Sequence, residues 1–185
     1  IDGIRLASDG EVTVAGEFQG TASWDGFTLT SIPDPETLIP TMDIVVVSYD
    51  ATGTALWVQQ GAADHTDRAI DVVNDPQGNL YVTGQFSDTI TFDTEHLNAM
   101  YNATFLLKLD AAGNELWFRR CGGAVFDHVR DMLYTPGGEL LLVGDLQGNM
   151  IFLDDEPDVI SGEQDFNYYL LRVSTDGQLI ASGQI

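Results

Sequence analysis

Apolar and polar residues trade places in short runs along almost the whole chain. The runs Ile4–Ser8, Val12–Phe18, Ile44–Tyr49 and Ala55–Gln60 are rich in β-branched and aromatic residues. Such runs fit half-buried strands, and no stretch carries a convincing 3.6-residue apolar period. The same four-strand set recurs twice more. Ala69–Asn74, Leu80–Phe86, Phe105–Leu109 and Glu115–Arg120 form the second, and Val129–Tyr134, Leu140–Leu146, Tyr169–Val173 and Leu179–Gly183 the third. We name the strands of each set A to D. The expected units are residues 1–61, 62–121 and 122–185.

Glycines punctuate the units at fixed offsets. Gly10, Gly78 and Gly138 step by 68 and 60 residues and are each followed by Gly16, Gly84 and Gly144. An aromatic follows in turn: Trp24, Phe92 and Phe152. Gly53, Gly113 and Gly177 close turns that begin at Asp50, Asp110 and Ser174. The segments Asp75-Pro76-Gln77-Gly78 and Thr135-Pro136-Gly137-Gly138 have the residue order of type I turns. In the first unit Ser8-Asp9-Gly10-Glu11 instead suits a two-residue type I′ hairpin. The long connections all fall between B and C, at 19–43, 87–104 and 147–167. If the units stack around an axis, these insertions emerge on one side, where variable loops commonly bind.

A period near sixty residues with four antiparallel strands predicts an all-β chain of three four-stranded β-propeller blades. Blades of this kind press face to face, with no ladder running from one unit to the next. Asp43–Trp57 and Asp67–Gly84 resemble the seven-bladed β-propeller repeat of bacterial secreted proteins (SBBP-type). Phe105–Trp117, with Gly122, Gly123 and Asp127, continues the likeness, which weakens where Ala181 takes the place of Trp57 and Trp117. The resemblance implies an extracellular or surface-attached bacterial scaffold, normally part of a longer chain, with no shared catalytic residue. Closed propellers need four to eight blades. Three therefore imply either a segment completed by other blades of a longer chain or copies that assemble into a ring.

Charge narrows the partners. The 185 residues hold 29 acids and seven bases, for a net charge of −22. That field repels nucleic acid and anionic lipid. No apolar run reaches the roughly 18 residues of a membrane helix, so membrane insertion is not expected. Cys121 has no second cysteine to pair with and reads as a small buried apolar residue.

Chemistry-bearing patterns are sparse. Phosphate-cradling loops, His-Glu-x-x-His and the EF-hand pattern are absent from the sequence, and no catalytic residue or organic cofactor is expected. Calcium is the one candidate ion. Its ligands would be Asp67, Asp127, Asp71 and Asp131, which recur at and just inside strand A. The bland reading gives those carboxylates backbone N–H bonds to accept. Arg5 is expected at the place of Asp71 and Asp131 in the first unit. Arg68 and Arg130 read as ion-pair partners, and His65 and His128 as loop residues. Asp154, Asp155, Glu156 and Asp158 form an acidic turn, and Asn102-Ala103-Thr104 fits the glycosylation sequon. Trp57 and Trp117 read as core between blades, and Phe27, Tyr101 and Phe126 as recognition candidates.

These readings point to a non-catalytic extracellular scaffold that binds a protein or a glycan through loops on one face. The alternative is a structural subunit assembling through open blade faces into a ring or filament. A remote third reading is an enzyme, because Asp110–Trp117 is similar to the docking motif of quinone-dependent dehydrogenase propellers.

Overall fold

The computed structural model describes residues 2–7, 10–63, 65, 67–93, 95–99, 102–122, 126–150, 152 and 160–184. The acidic turn at 154–158, Tyr101, and the side chain of Phe126 lie outside what is described. Among the described residues the chain is all-β, with antiparallel sheets and no helix, and no helix is long and apolar enough to cross a membrane.

All twelve expected strands are present. Strands A, B, C and D of the first unit are β1 (Gly3–Leu6), β2 (Val12–Gln19), β5 (Met42–Tyr49) and β6 (Ala55–Ala63). In the second they are β7 (Arg68–Asn74), β8 (Leu80–Phe86), β11 (Ala103–Leu109) and β12 (Glu115–Cys121). In the third they are β13 (Phe126–Tyr134), β14 (Glu139–Met150), β15 (Ile160–Ser174) and β16 (Leu179–Gln184). Each set forms a sheet in the order A-B-C-D.

Two hairpins inside the B–C connections were not expected. They are β3 (Thr21–Trp24) with β4 (Phe27–Thr30), and β9 (Thr89–Phe92) with β10 (Glu95–Asn98). β9 pairs with β6, so the first sheet has six strands in the order β1-β2-β5-β6-β9-β10 rather than four. A ladder does therefore cross a unit boundary. It runs through an inserted hairpin and leaves the second sheet, β12-β11-β8-β7, separate.

The turns are more uniform than the sequence suggested. The amide of Gly78 donates to Asp75 O at 3.1 Å, and that of Asp75 to Asn79 O at 3.0 Å. In the first unit Gly10 donates to Ala7 O at 3.1 Å and Ala7 to Glu11 O at 2.8 Å. The bonds flanking 8–9 thus repeat the four-residue pattern instead of closing a two-residue loop.

Apolar alternation builds the core between the sheets. Ala15, Ile44 and Val46 of the first sheet pack with Val72, Leu80, Val82, Phe105 and Leu107 of the second. On the other face of the second sheet, Tyr81, Leu106 and Trp117 pack with Val129, Met132, Leu142, Tyr169 and Leu171 of the third. β7 contacts both β1 and β13. Gly84 and Gly144 sit in strand interiors where strand A bulges. A Cβ there would lie 2.0 Å from the carbonyl oxygens of Arg68 and His128 respectively, and against the rings of Phe105 and Tyr169.

Candidate functional site

The predicted carboxylates fall into two kinds. Asp67 and Asp127 are wholly buried, and Asp67 Oδ1 accepts the Ser87 amide at 3.1 Å. Asp71 and Asp131 lie side by side on the adjoining strands β7 and β13. Asp71 Oδ1 accepts its neighbour's amide, Val72, at 2.7 Å, and Oδ2 accepts that of Met132, in the next sheet, at 3.2 Å. Burial, and then the Asp131 carboxylate, raise the pKa of Asp71 above the ordinary carboxylate value. Among the described residues no group of three or more His, Cys, Asp or Glu comes together to hold a metal.

The first-unit equivalent of this pair is Gly3, not Arg5. Gly3 pairs with Ala15 as Asp71 pairs with Thr83 and Asp131 with Val143. Arg5 pairs with Thr13 and lines a cleft of about 460 Å³ beside Glu11, Ser48 and Asn74. The missing side chain has a packing reason, since a Cβ on Gly3 would stand 2.8 Å from the Val72 nitrogen.

The bases mostly hold acids or carbonyls. Arg68 meets Glu17 at 3.2 Å, Arg130 meets Asp145 at 2.5 Å, and Arg172 meets Glu139 at 2.8 Å. His65 lies 3.8 Å from Asp34 and 3.9 Å from Asp88, whereas His128 is on Asp145 at 3.1 Å. Cys121 is buried, and burial pushes its thiol pKa far up, away from reactivity.

The tryptophans form a device that recurs. The Trp57 indole N–H donates to Ala111 O, in the C–D turn of the next unit, at 3.1 Å. Gln59 Nε2 donates to Gly113 O of that turn at 2.8 Å. The Trp57 ring covers Gly113 so closely that a Cβ there would be 2.6 Å away. One unit later, the Trp117 indole donates to Thr175 O at 3.2 Å, joined by Lys108 Nζ at 2.9 Å, and its ring covers Gly177. Strand D of one unit therefore latches onto the turn of the next. Trp57 pairs with Ser48 and Trp117 with Lys108; in the third unit Ala181 pairs with Arg172 at the same place and supplies no indole.

The hairpins supply a second joint. Gly61 pairs with Phe92, and Cys121 forms an isolated bridge with Phe152, so in both cases the recurring aromatic meets the preceding unit's outer strand. Trp24 is the first-unit counterpart. It packs edge-on against Phe18 at 5.7 Å, and among the described residues β3 pairs only with β4. The hairpin turn was legible in hindsight. Asp25 and Gly26 both have positive φ (45° and 98°), as a two-residue Asp-Gly loop requires.

Two sheet faces stay partly open. On the first sheet Ile4 and Leu6 are 70% and 71% exposed beside Val12 and Val14, while Phe18, Val45 and Val47 on the same face are buried under Trp24 and Leu29 of the first hairpin. On the third, Leu133 and Tyr168 are 58% and 64% exposed beside a shallow groove lined by Leu141, Val143 and Leu170. Phe27, a predicted recognition residue, is partly exposed at the tip of the first hairpin. No family model matches the chain, and no curated protein matches it in sequence.

Proposed function

We propose that this chain is a non-catalytic, extracellular β-propeller scaffold of three blades whose task is protein contact. The observation that carries the reading is the recurring latch: a tryptophan on one outer strand holds the turn of the next sheet, twice over. Latches of this kind build a directional array, with each unit completed by its neighbour. The open apolar faces at the first and third sheets favour the second reading, a structural subunit, as the mode of contact. Exposed apolar patches rimmed by polar residues mark interaction sites. They suit a protein partner better than a glycan. The B–C connections, expected as free binding loops, are largely spent on packing in the first two units.

A hydrophobic dye tests the reading. The wild-type chain should bind anilinonaphthalene sulfonate while remaining folded by circular dichroism. Ile4→Asp with Leu6→Asp should remove part of that signal, and Leu133→Asp with Leu170→Asp another part. A folded chain that binds no dye, or whose binding ignores both pairs, contradicts a scaffold with open faces.

A further inference from the structure

We propose that the open face of the first sheet is a docking site for a β-sheet partner whose edge strand carries a tryptophan with a small residue four places on. We further infer that this chain's own third unit is not that partner. The inference rests on the scaffold reading above and extends it to the identity of the missing neighbour.

The two internal joints define what such a site takes. At each, three contacts come from the earlier unit. A tryptophan donates its indole N–H to the second residue of the next C–D turn: Trp57 to Ala111 and Trp117 to Thr175. Its ring lies on that turn's glycine, Gly113 or Gly177. Four residues on, a small residue, Gly61 or Cys121, bridges the aromatic of the next hairpin, Phe92 or Phe152. At the first of these a larger residue has no room, because a Cβ on Gly61 would sit 2.2 Å from the Phe92 ring.

The first unit presents the receiving half of every contact. Its C–D turn has Gly53 N donating to Asp50 O at 3.0 Å, the bond found at Gly113 and Gly177. Nothing lies within 4 Å of the place a Gly53 Cβ would take, whereas the corresponding places at Gly113 and Gly177 face indoles. The outer edge of β3, which carries Trp24, has no ladder partner among the described residues. Ile4 and Leu6 lie on the face that Val72 and its neighbours use to meet the preceding sheet. The continuity of this face with two existing joints names its occupant.

A second copy fails the same template. Its third unit offers Ala181 where Trp57 and Trp117 stand, and in sequence the residue four places on is Ile185 rather than a small one. The array is therefore selective at this joint: the face accepts a like sheet but not the one this chain could supply.

A mixing experiment decides it. The acceptor is the wild-type chain. The donor is the full chain with Ala181→Trp and Ile185→Gly, its own receiving face blocked by Ile4→Asp and Leu6→Asp, two exposed positions. A second donor carries Ala181→Phe instead, which fills space without an N–H. Sedimentation velocity should show the tryptophan donor binding the acceptor at least tenfold more tightly than the same blocked chain with Ala181 and Ile185, with the phenylalanine donor between them. Binding should vanish when the acceptor also carries Ile4→Asp and Leu6→Asp. Equal binding by all donors, or tight head-to-tail association of the wild type alone, overturns the proposal. So does no gain by either donor while both remain folded. If dye still binds both faces in that last case, the scaffold stands and only the rule for its neighbour falls.

Discussion

Glu115 opens β12 at a place where its charge is unwelcome. Its Oε2 is buried with no hydrogen-bond partner among the described residues, and burial, then Glu95 and Asp93, push its pKa up to about 7. The folded state thus holds this proton more tightly than the unfolded chain, whose value is 4.5. The favourable contribution is complete below 4.5 and disappears as pH rises through about 7. Glu115→Gln should match the wild type near pH 4.5 and exceed it at pH 8. Partial exposure screens the effect, so we expect a gain of about 2–4 °C in Tm, the size of roughly 1 kcal/mol in a chain this long. Equal melting at pH 8 would contradict the burial of this carboxyl. Asp71 behaves differently because its oxygens are used. Asp71→Ala removes the acceptor that ties Met132 to the neighbouring sheet and should cost about 1–3 kcal/mol in denaturant unfolding. Asp71→Asn keeps one oxygen and removes the repulsion from Asp131, so it should cost less. A larger loss in Asp71→Asn than in Asp71→Ala would contradict this.

Among the elements, the C–D turn and the outer strand act as one piece. The Asp50 carboxylate accepts the amides of Thr52 and Thr54 at 2.8 and 2.9 Å, and the Asp110 carboxylate those of Ala112 and Asn114 at 2.9 Å. These bonds, led at Asp50 by the Thr52 hydroxyl, hold the Asp50 pKa below its usual value. At Asp110 the turn so fixed presents a glycine with positive φ, Gly113, to the Trp57 indole, whereas the place at Gly53 is open. Trp117→Ala should cost about 3–5 kcal/mol, as for other buried aromatics, and Trp117→Phe about 1 kcal/mol for the lost hydrogen bond. Gly113→Ala should cost about 1–2 kcal/mol from its backbone alone and more from the Trp57 ring. Urea midpoints measure all three, and a neutral Gly113→Ala would remove the latch from the account. Twelve strands were legible because alternation and turn glycines report purely local needs. The recurrence of Trp57 and Trp117 marked them as packing residues, yet their acceptors lie 54 and 58 residues away. Spacing alone could not name Ala111 or Thr175. The inserted hairpins were missed because four-residue strands such as Thr21–Trp24 are too short to show a period. Arg5 stands two residues from the place of Asp71 and Asp131: Gly3 lies seven residues before Gly10, as Asp71 does before Gly78 and Asp131 before Gly138, a spacing hidden when the first turn is read as a two-residue loop.

At the scale of the molecule, the second sheet packs between the first and the third among the described residues, and the joints run in one direction. Stability in such an array is close to a sum over units and interfaces. Loosening one joint should then leave the next intact. In Trp57→Ala, hydrogen exchange should accelerate across β5, β6 and β9 while β14 and β15 keep their protection. Uniform acceleration through the third sheet would mean one undivided cooperative block. The most direct measurement of the central claim is the set of proton Overhauser contacts made by the three indole N–H groups in a labelled sample. The account predicts cross-peaks from Trp57 to Ala111 and Gly113 and from Trp117 to Thr175 and Gly177, with none from Trp24 to any C–D turn of a later unit. Indoles of Trp57 and Trp117 that instead contact the turns of their own units, Gly53 and Gly113, would contradict a latch between neighbouring sheets.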